Sequence, residues 1–105
     1  MKLWQRTLRG LEEMLELSQS VSVTEEEVLI VLRQVYDKPR GIPRKELGGC
    51  LVTLCGIADS LDLDLEECFW DEFEVIMDPA KIAKIRQRNL AGDKIGIALN
   101  TGPVV

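Results

Sequence analysis

Apolar residues recur along this chain with the spacing of an α-helix. In the first segment, about residues 2–18, Trp4, Leu8, Leu11 and Leu15 follow one another at steps of four, three and four. These steps put the side chains on one side of a helix, which is expected to pack inward. No segment shows the sustained alternation of a β-strand. The pattern therefore predicts an all-α fold of four to five helices.

Capping residues and helix breakers predict where the next helices begin and end. Thr24 and Glu27 form a capping box, so a second helix should begin after Thr24 and end near Tyr36. The stretch 37–44 contains two prolines and a glycine and predicts a loop. Pro43 suits the first turn of a third helix, which extends to about residue 61.

Two further helices follow from the same signals. Asp62 or Asp64 is expected to cap a fourth helix, and Asp78 precedes a fifth over about 79–90. The apolar positions expected to point inward on the second, third and fourth helices are Val28, Val31, Leu32, Val35, Leu47, Leu51, Leu54, Ala58, Leu61, Leu65, Phe69, Phe73 and Ile76.

A chain of 105 residues corresponds to one domain. Residues 1–90 are expected to form it. Residues 91–105 contain three glycines and a proline without a clear period, which predicts an extended or mobile tail. The sequence shows no evident internal repeat. Because a domain of this size buries only about 65% of its unfolded surface, association with another copy is favoured.

Composition excludes several classes of function. The chain has no histidine, which rules out Ser-His-Asp and Cys-His nucleophile systems and zinc sites built on imidazole. A net charge of −5 argues against nucleic-acid binding, and no segment has the length and apolarity of a membrane span. The three cysteines lie in apolar runs without paired spacing, so we expect buried, reduced thiols and a cytoplasmic location.

Carboxylates are the main candidates for chemistry. Glu12, Glu13 and Glu16 lie within about one turn of the first helix, and Glu46 lies early in the third. Carboxylates three or four residues apart can share one hard cation, and an acid from another helix would complete a Mg²⁺ or Mn²⁺ site. Alternatively, these are ordinary solvated glutamates of helix surfaces.

Two segments resemble the signatures of a known family. LEEMLEL (11–17) is similar to the Glu-Glu-x-x-Glu-Leu motif of the MazG-like nucleoside triphosphate pyrophosphohydrolases, and KELGGCLVTL (45–54) is similar to their Glu-Leu-x-Asp motif. With the helices downstream, the similarity covers most of residues 5–90. It implies an all-α, oligomeric, Mg²⁺-dependent enzyme that cleaves nucleoside triphosphates between the α and β phosphates.

The resemblance also implies roles for individual residues. Glu13, Glu16 and Glu46 correspond to metal ligands for Mg²⁺ or Mn²⁺, and Glu12 is the candidate catalytic carboxylate. The expected substrate is a nucleoside triphosphate, and the expected assembly is a homodimer or homotetramer completing the helical bundle.

One position departs from the family pattern. Gly49 stands where the family has the Asp of its second motif. Asp59 is a poor substitute, because it lies about 220° away around the same helix. The alternative function is therefore a non-catalytic helical module that binds nucleotides or another protein and has lost its full metal site.

Two other features allow more than one interpretation. Gly49, Thr53 and Gly56 form a ridge of small residues that suits either a close contact within the chain or a subunit interface. Basic residues can bind substrate phosphates or form a solubilising surface. The candidates for phosphate binding are Lys38, Arg40, Lys84 and Arg88.

Overall fold

The computed structural model describes residues 1–90, with side chains through Arg88. These residues form five α-helices: α1 (Leu3–Ser20), α2 (Glu25–Tyr36), α3 (Pro43–Ser60), α4 (Leu65–Ile76) and α5 (Pro79–Leu90). Residues 1–90 contain no strand, so the predicted all-α class is confirmed. None of their helices is both long and apolar enough to cross a bilayer. The tail predicted over residues 91–105 lies outside the described residues.

The chain divides into two compact units. Within the described residues, the first comprises Met1–Lys38 together with residues 85–90, and the second comprises Pro39–Lys84. The first unit therefore contains α1 and α2, which we call the N-terminal hairpin. The second contains α3 and α4, which we call the second hairpin.

The start of α2 is fixed by the predicted capping box. The Glu27 backbone N–H donates to Thr24 Oγ1 (3.1 Å), and the Thr24 N–H donates to Glu27 Oε1 (2.9 Å). The Thr24 hydroxyl also donates to the same carboxylate oxygen (3.0 Å). These bonds stabilise the ionised carboxylate, and they hold the pKa of Glu27 below its ordinary value of 4.5.

Asp64, rather than Asp62, caps α4. Its carboxylate accepts a hydrogen bond from the Glu67 backbone N–H (3.0 Å). Asp62 instead lies in the left-handed region (φ 55°) just beyond the end of α3. There the Leu63 N–H bonds back to the Ala58 carbonyl (2.9 Å), which closes a Schellman-type turn.

The two hairpins have the same construction, offset by 40 residues. Each consists of an 18-residue helix, a four-residue connector and a 12-residue helix. In each connector the second residue has a positive φ, Ser22 (70°) or Asp62 (55°). The bond from Val23 N–H to the Ser18 carbonyl corresponds to the bond from Leu63 N–H to the Ala58 carbonyl. The structure thus contains a repeat that the sequence did not reveal.

The sequence hides this repeat because few positions coincide. Over residues 3–39 and 43–79 the identical pairs are Leu11/Leu51, Ser20/Ser60, Glu26/Glu66, Glu27/Glu67, Val35/Val75 and Pro39/Pro79. Backbone closure of a helical hairpin depends on a cap and a residue that tolerates positive φ, and several residue types satisfy both needs.

Most of the predicted core faces are exposed, which corrects the expectation of burial. Among residues 1–88 only Ala58 and Gln5 are buried. The expected inward positions that are exposed are Leu11, Leu15, Val31, Leu32, Val35, Leu47, Leu51, Leu61, Leu65, Phe69 and Phe73. The three cysteines are exposed as well. Periodicity identifies a face that is suited to burial, but burial also needs an opposing surface, which the described part of one copy does not supply at these positions.

Candidate metal centre

Three carboxylates lie close together on the surface of α1. One carboxylate oxygen from each of Glu12, Glu13 and Glu16 lies within 4.8 Å of the others. A continuous helix causes this, because residues three positions apart (Glu13 and Glu16) and four positions apart (Glu12 and Glu16) project from adjacent parts of its surface. Glu12 is half-buried, whereas Glu13 and Glu16 are exposed. We call these residues the acidic cluster.

The donor set fits a hard divalent cation. Mg²⁺ binds oxygen ligands at about 2.0–2.1 Å in octahedral geometry, so two adjacent ligands are about 2.9 Å apart. To bind one ion from the same side, the three carboxylate oxygens would have to close from within 4.8 Å to that separation by rotation of their side chains. All three donors come from one helix, which leaves the opposite side of such an ion open to water or phosphate oxygens.

A groove between α1 and α2 borders the acidic cluster. Its volume is about 330 Å³, and its lining includes Glu12 and Glu16 from α1 and Glu25 from the first turn of α2. On sequence alone, the segment around Glu25 is predicted only as the start of a helix. The four-residue connector carries the signal that was missed, since a short connector returns the start of α2 to the end of α1.

Glu46 lies in the second unit, in the first turn of α3. Its side chain folds back over the loop before the helix. A Cβ placed on Gly41 would lie 2.6 Å from Glu46 Oε1 and 3.0 Å from its Cδ. Glycine at position 41 therefore leaves the space that this carboxylate occupies. The convergence of Glu46 with the acidic cluster stays a prediction.

Gly49 lies on α3 in open surroundings. A Cβ at Gly49 would meet no atom within 4 Å, and the same is true at Gly48 and Gly56. Within the described residues, the close internal contact considered for this ridge is therefore absent. A longer side chain, including an aspartate, has room at position 49.

The four candidate phosphate ligands have different surroundings. Lys38 and Arg40 are exposed in the loop that joins α2 to α3. Arg88 is half-buried on α5, and its Nε has no hydrogen-bond partner among the described residues. Lys84 lines a groove of about 640 Å³ in the second unit, together with Lys81 and the acids Asp71, Glu74 and Asp78. Three carboxylates beside two lysines disfavour a polyphosphate there.

An aromatic cluster lies on α4. The ring of Trp70 meets Phe69 edge-on at 5.0 Å and Phe73 edge-on at 5.7 Å, measured between centroids. Its indole N–H donates to Glu66 Oε1 (3.4 Å). Trp70 is 51% exposed and Phe69 is 55% exposed, so this face of α4 offers aromatic surface to a partner or ligand.

Comparison with known proteins adds no relative: no protein-family model, no curated protein and no solved structure matches this chain. Support for a function therefore comes from the side chains themselves and from the two sequence motifs.

Proposed function

We propose that this chain is a subunit of a Mg²⁺-dependent nucleoside triphosphate pyrophosphohydrolase. The observation that carries the proposal is the acidic cluster, whose three carboxylate oxygens lie within 4.8 Å of one another. The motif resemblance supports the same reaction, in which one water cleaves the bond between the α and β phosphates. The products are a nucleoside monophosphate and pyrophosphate.

The proposed roles follow from the chemistry of the residues. Glu13 and Glu16 would hold the ion, with Glu46 as the further ligand implied by the resemblance. Bound Mg²⁺, or Mn²⁺ in its place, would neutralise phosphate charge and favour attack at phosphorus. Glu12 is half-buried at the groove, where it can orient the attacking water and accept its proton.

Binding of the polyanionic substrate also requires cations. Lys38 and Arg40 are both exposed and are the preferred phosphate ligands, because exposed basic side chains can reorient toward a triphosphate. Arg88 is a further candidate. Lys84 is the least favoured of the four, because three carboxylates share its groove. We further propose a homodimer or homotetramer as the working assembly. The three free cysteines favour a reducing compartment such as the cytoplasm.

Pyrophosphate release from a panel of nucleoside triphosphates tests the proposal. We expect release that requires Mg²⁺ and that falls at least about tenfold in Glu16→Gln, because an amide replaces a charged ligand. Glu26→Gln is the matched control, since Glu26 is an exposed glutamate outside the acidic cluster. Absence of release from every triphosphate, or equal loss in both variants, would contradict hydrolysis at this site.

Gly49 favours a second candidate function, a nucleotide-binding module without turnover. The position lacks the carboxylate of the family motif, and its open surroundings accept one. If the wild-type chain binds nucleotide but releases no pyrophosphate, Gly49→Asp should increase Mg²⁺ affinity measured by calorimetry. An unchanged affinity in Gly49→Asp would show that position 49 does not limit metal binding.

A further inference from the structure

A second groove of the N-terminal hairpin is open and apolar. It has a volume of about 630 Å³ and runs between α1 and α2. Its apolar lining consists of Leu8, Leu11, Leu15, Val23, Val28, Val31, Leu32, Val35 and Tyr36. Leu11 is 51% exposed, Val31 56% and Tyr36 82%. We call this surface the apolar groove.

The exposure of this apolar surface is typical of a protein interface. Seven of its nine apolar lining side chains are exposed, and the exceptions are Leu8 and Val28. A contiguous apolar surface that one copy leaves open marks a site of association. A pair of helices with an open apolar seam gains a closed core when a second pair packs against it as a four-helix bundle.

Charge along the hairpin favours a second copy as the occupant. The end at the connector carries six carboxylates and no basic residue: Glu12, Glu13, Glu16, Glu25, Glu26 and Glu27. The opposite end is mainly basic and carries Lys2, Arg6, Arg9 and Arg33. Two hairpins that pack antiparallel place the acidic end of each beside the basic end of the other, and a two-fold axis makes both contacts equivalent.

We infer that the apolar groove is a self-association surface, which receives the N-terminal hairpin of a second copy in antiparallel orientation. This inference deepens the oligomer of the proposed function by naming its surface and direction. One consequence is that the basic end of the second copy lies next to the acidic cluster, where cations can neutralise substrate phosphates. The tests below use neither nucleotide nor metal, so their failure is distinct from a failure of hydrolysis.

The first test measures mass in solution by light scattering and sedimentation. Wild type should have twice the chain mass of 11.8 kDa, and Val31→Gln should raise the dimer dissociation constant about a hundredfold, because a two-fold interface contains the change twice. Ile30→Gln is the matched control: Ile30 is also 56% exposed but does not line the apolar groove. Circular dichroism checks that both variants keep their helices.

The second test reverses charge at the two ends. Glu25→Lys with Glu26→Lys, and Arg6→Glu with Arg33→Glu, should each weaken the dimer. In an antiparallel dimer each pair of changes weakens the attraction between unlike ends, whereas in a parallel dimer it would relieve repulsion between like ends and strengthen association. A monomeric wild type, or equal effects of Val31→Gln and Ile30→Gln, would overturn the proposed surface. Stronger association in both charge-reversed variants would overturn the antiparallel orientation.

Discussion

Two residues with positive φ end the long helices, and neither is glycine. Ser22 (φ 70°) follows α1 and Asp62 (φ 55°) follows α3. The left-handed region costs an L-residue roughly 1 kcal/mol, which glycine avoids. Each residue is held there by the hydrogen bond that the next residue makes back to its helix.

Replacing these residues should therefore increase stability. We expect Ser22→Gly and Asp62→Gly each to raise the free energy of unfolding by about 0.5–1 kcal/mol, as measured by urea denaturation. Ser60→Gly is the control, because position 60 is the last residue of α3, where glycine should destabilise the helix. Loss of stability in Ser22→Gly or Asp62→Gly would contradict the assigned conformation.

The Thr24 cap should give a stability that depends on pH. Thr24→Ala should cost about 0.5–2 kcal/mol near neutral pH. The folded-state pKa of Glu27 is lowered, so its part of this stability is present above pH 4.5 and is lost as the pH falls through the lower folded value. The difference between wild type and Thr24→Ala should shrink in acid.

In acid, the difference in free energy of unfolding between wild type and Thr24→Ala should not fall to zero. The hydrogen bond from the Glu27 N–H to Thr24 Oγ1 remains, because it does not depend on ionisation of the carboxylate. Unfolding by urea at a series of pH values measures this difference. Thr7→Ala serves as a control, since the Thr7 hydroxyl bonds only within the interior of α1, to the Leu3 carbonyl. A difference that stays constant from pH 7 to pH 3 would contradict the pKa assignment.

At the scale of elements, the sequence predicts all five helices and most of their ends. The signals were local: Thr24 caps α2, Pro43 occupies the first turn of α3, and Asp78 accepts from the Ala80 N–H at the start of α5. The choice between Asp62 and Asp64 stayed open, because either residue type can cap or adopt positive φ. Only the backbone path assigns one role to each.

The acidic cluster was also predictable in part. Spacing along one helix places Glu12, Glu13 and Glu16 together, and the structure has their oxygens within 4.8 Å. Glu46 belongs to a different helix and a different unit, so no local rule gives its position relative to the cluster. The participation of Glu25 in the neighbouring groove needed the geometry of the connector.

The glycines of α3 provide a test at the same scale. Glycine within a helix costs about 1 kcal/mol relative to alanine, and a Cβ at Gly49 meets no atom within 4 Å. We expect Gly49→Ala to raise the free energy of unfolding by about 1 kcal/mol in dilute solution. Gly10→Ala on α1, equally open, should behave alike. A loss of stability or of association in Gly49→Ala alone would place this ridge at a subunit contact.

For the whole molecule, the sequence did not predict which apolar faces are exposed. Periodicity selected Leu11, Val31 and Phe69 as inward-facing, yet they are 51%, 56% and 55% exposed. An apolar stripe shows which face of a helix is suited to burial. Which surface packs against that face depends on residues distant in the sequence or on another chain. This is why the fold class could be predicted and the burial could not.

Stability should accordingly depend on protein concentration. If association covers these faces, a hundredfold increase in concentration contributes about 2.7 kcal/mol and should raise the Tm by roughly 10 °C. Scanning calorimetry or circular dichroism between about 5 and 500 µM measures this effect. Val31→Gln should reduce the dependence and Ile30→Gln should not. A Tm that is independent of concentration would contradict association.

The two connectors have the same backbone conformation, so we expect that their sequences can be exchanged. Residues 21–24 (Val-Ser-Val-Thr) and 61–64 (Leu-Asp-Leu-Asp) each supply an apolar first and third residue, a second residue at positive φ and a capping fourth. A chimaera with these tetrapeptides exchanged should keep the helical content of the parent. Either connector is thus a position at which a new loop can be grafted without disrupting the helices on both sides of it.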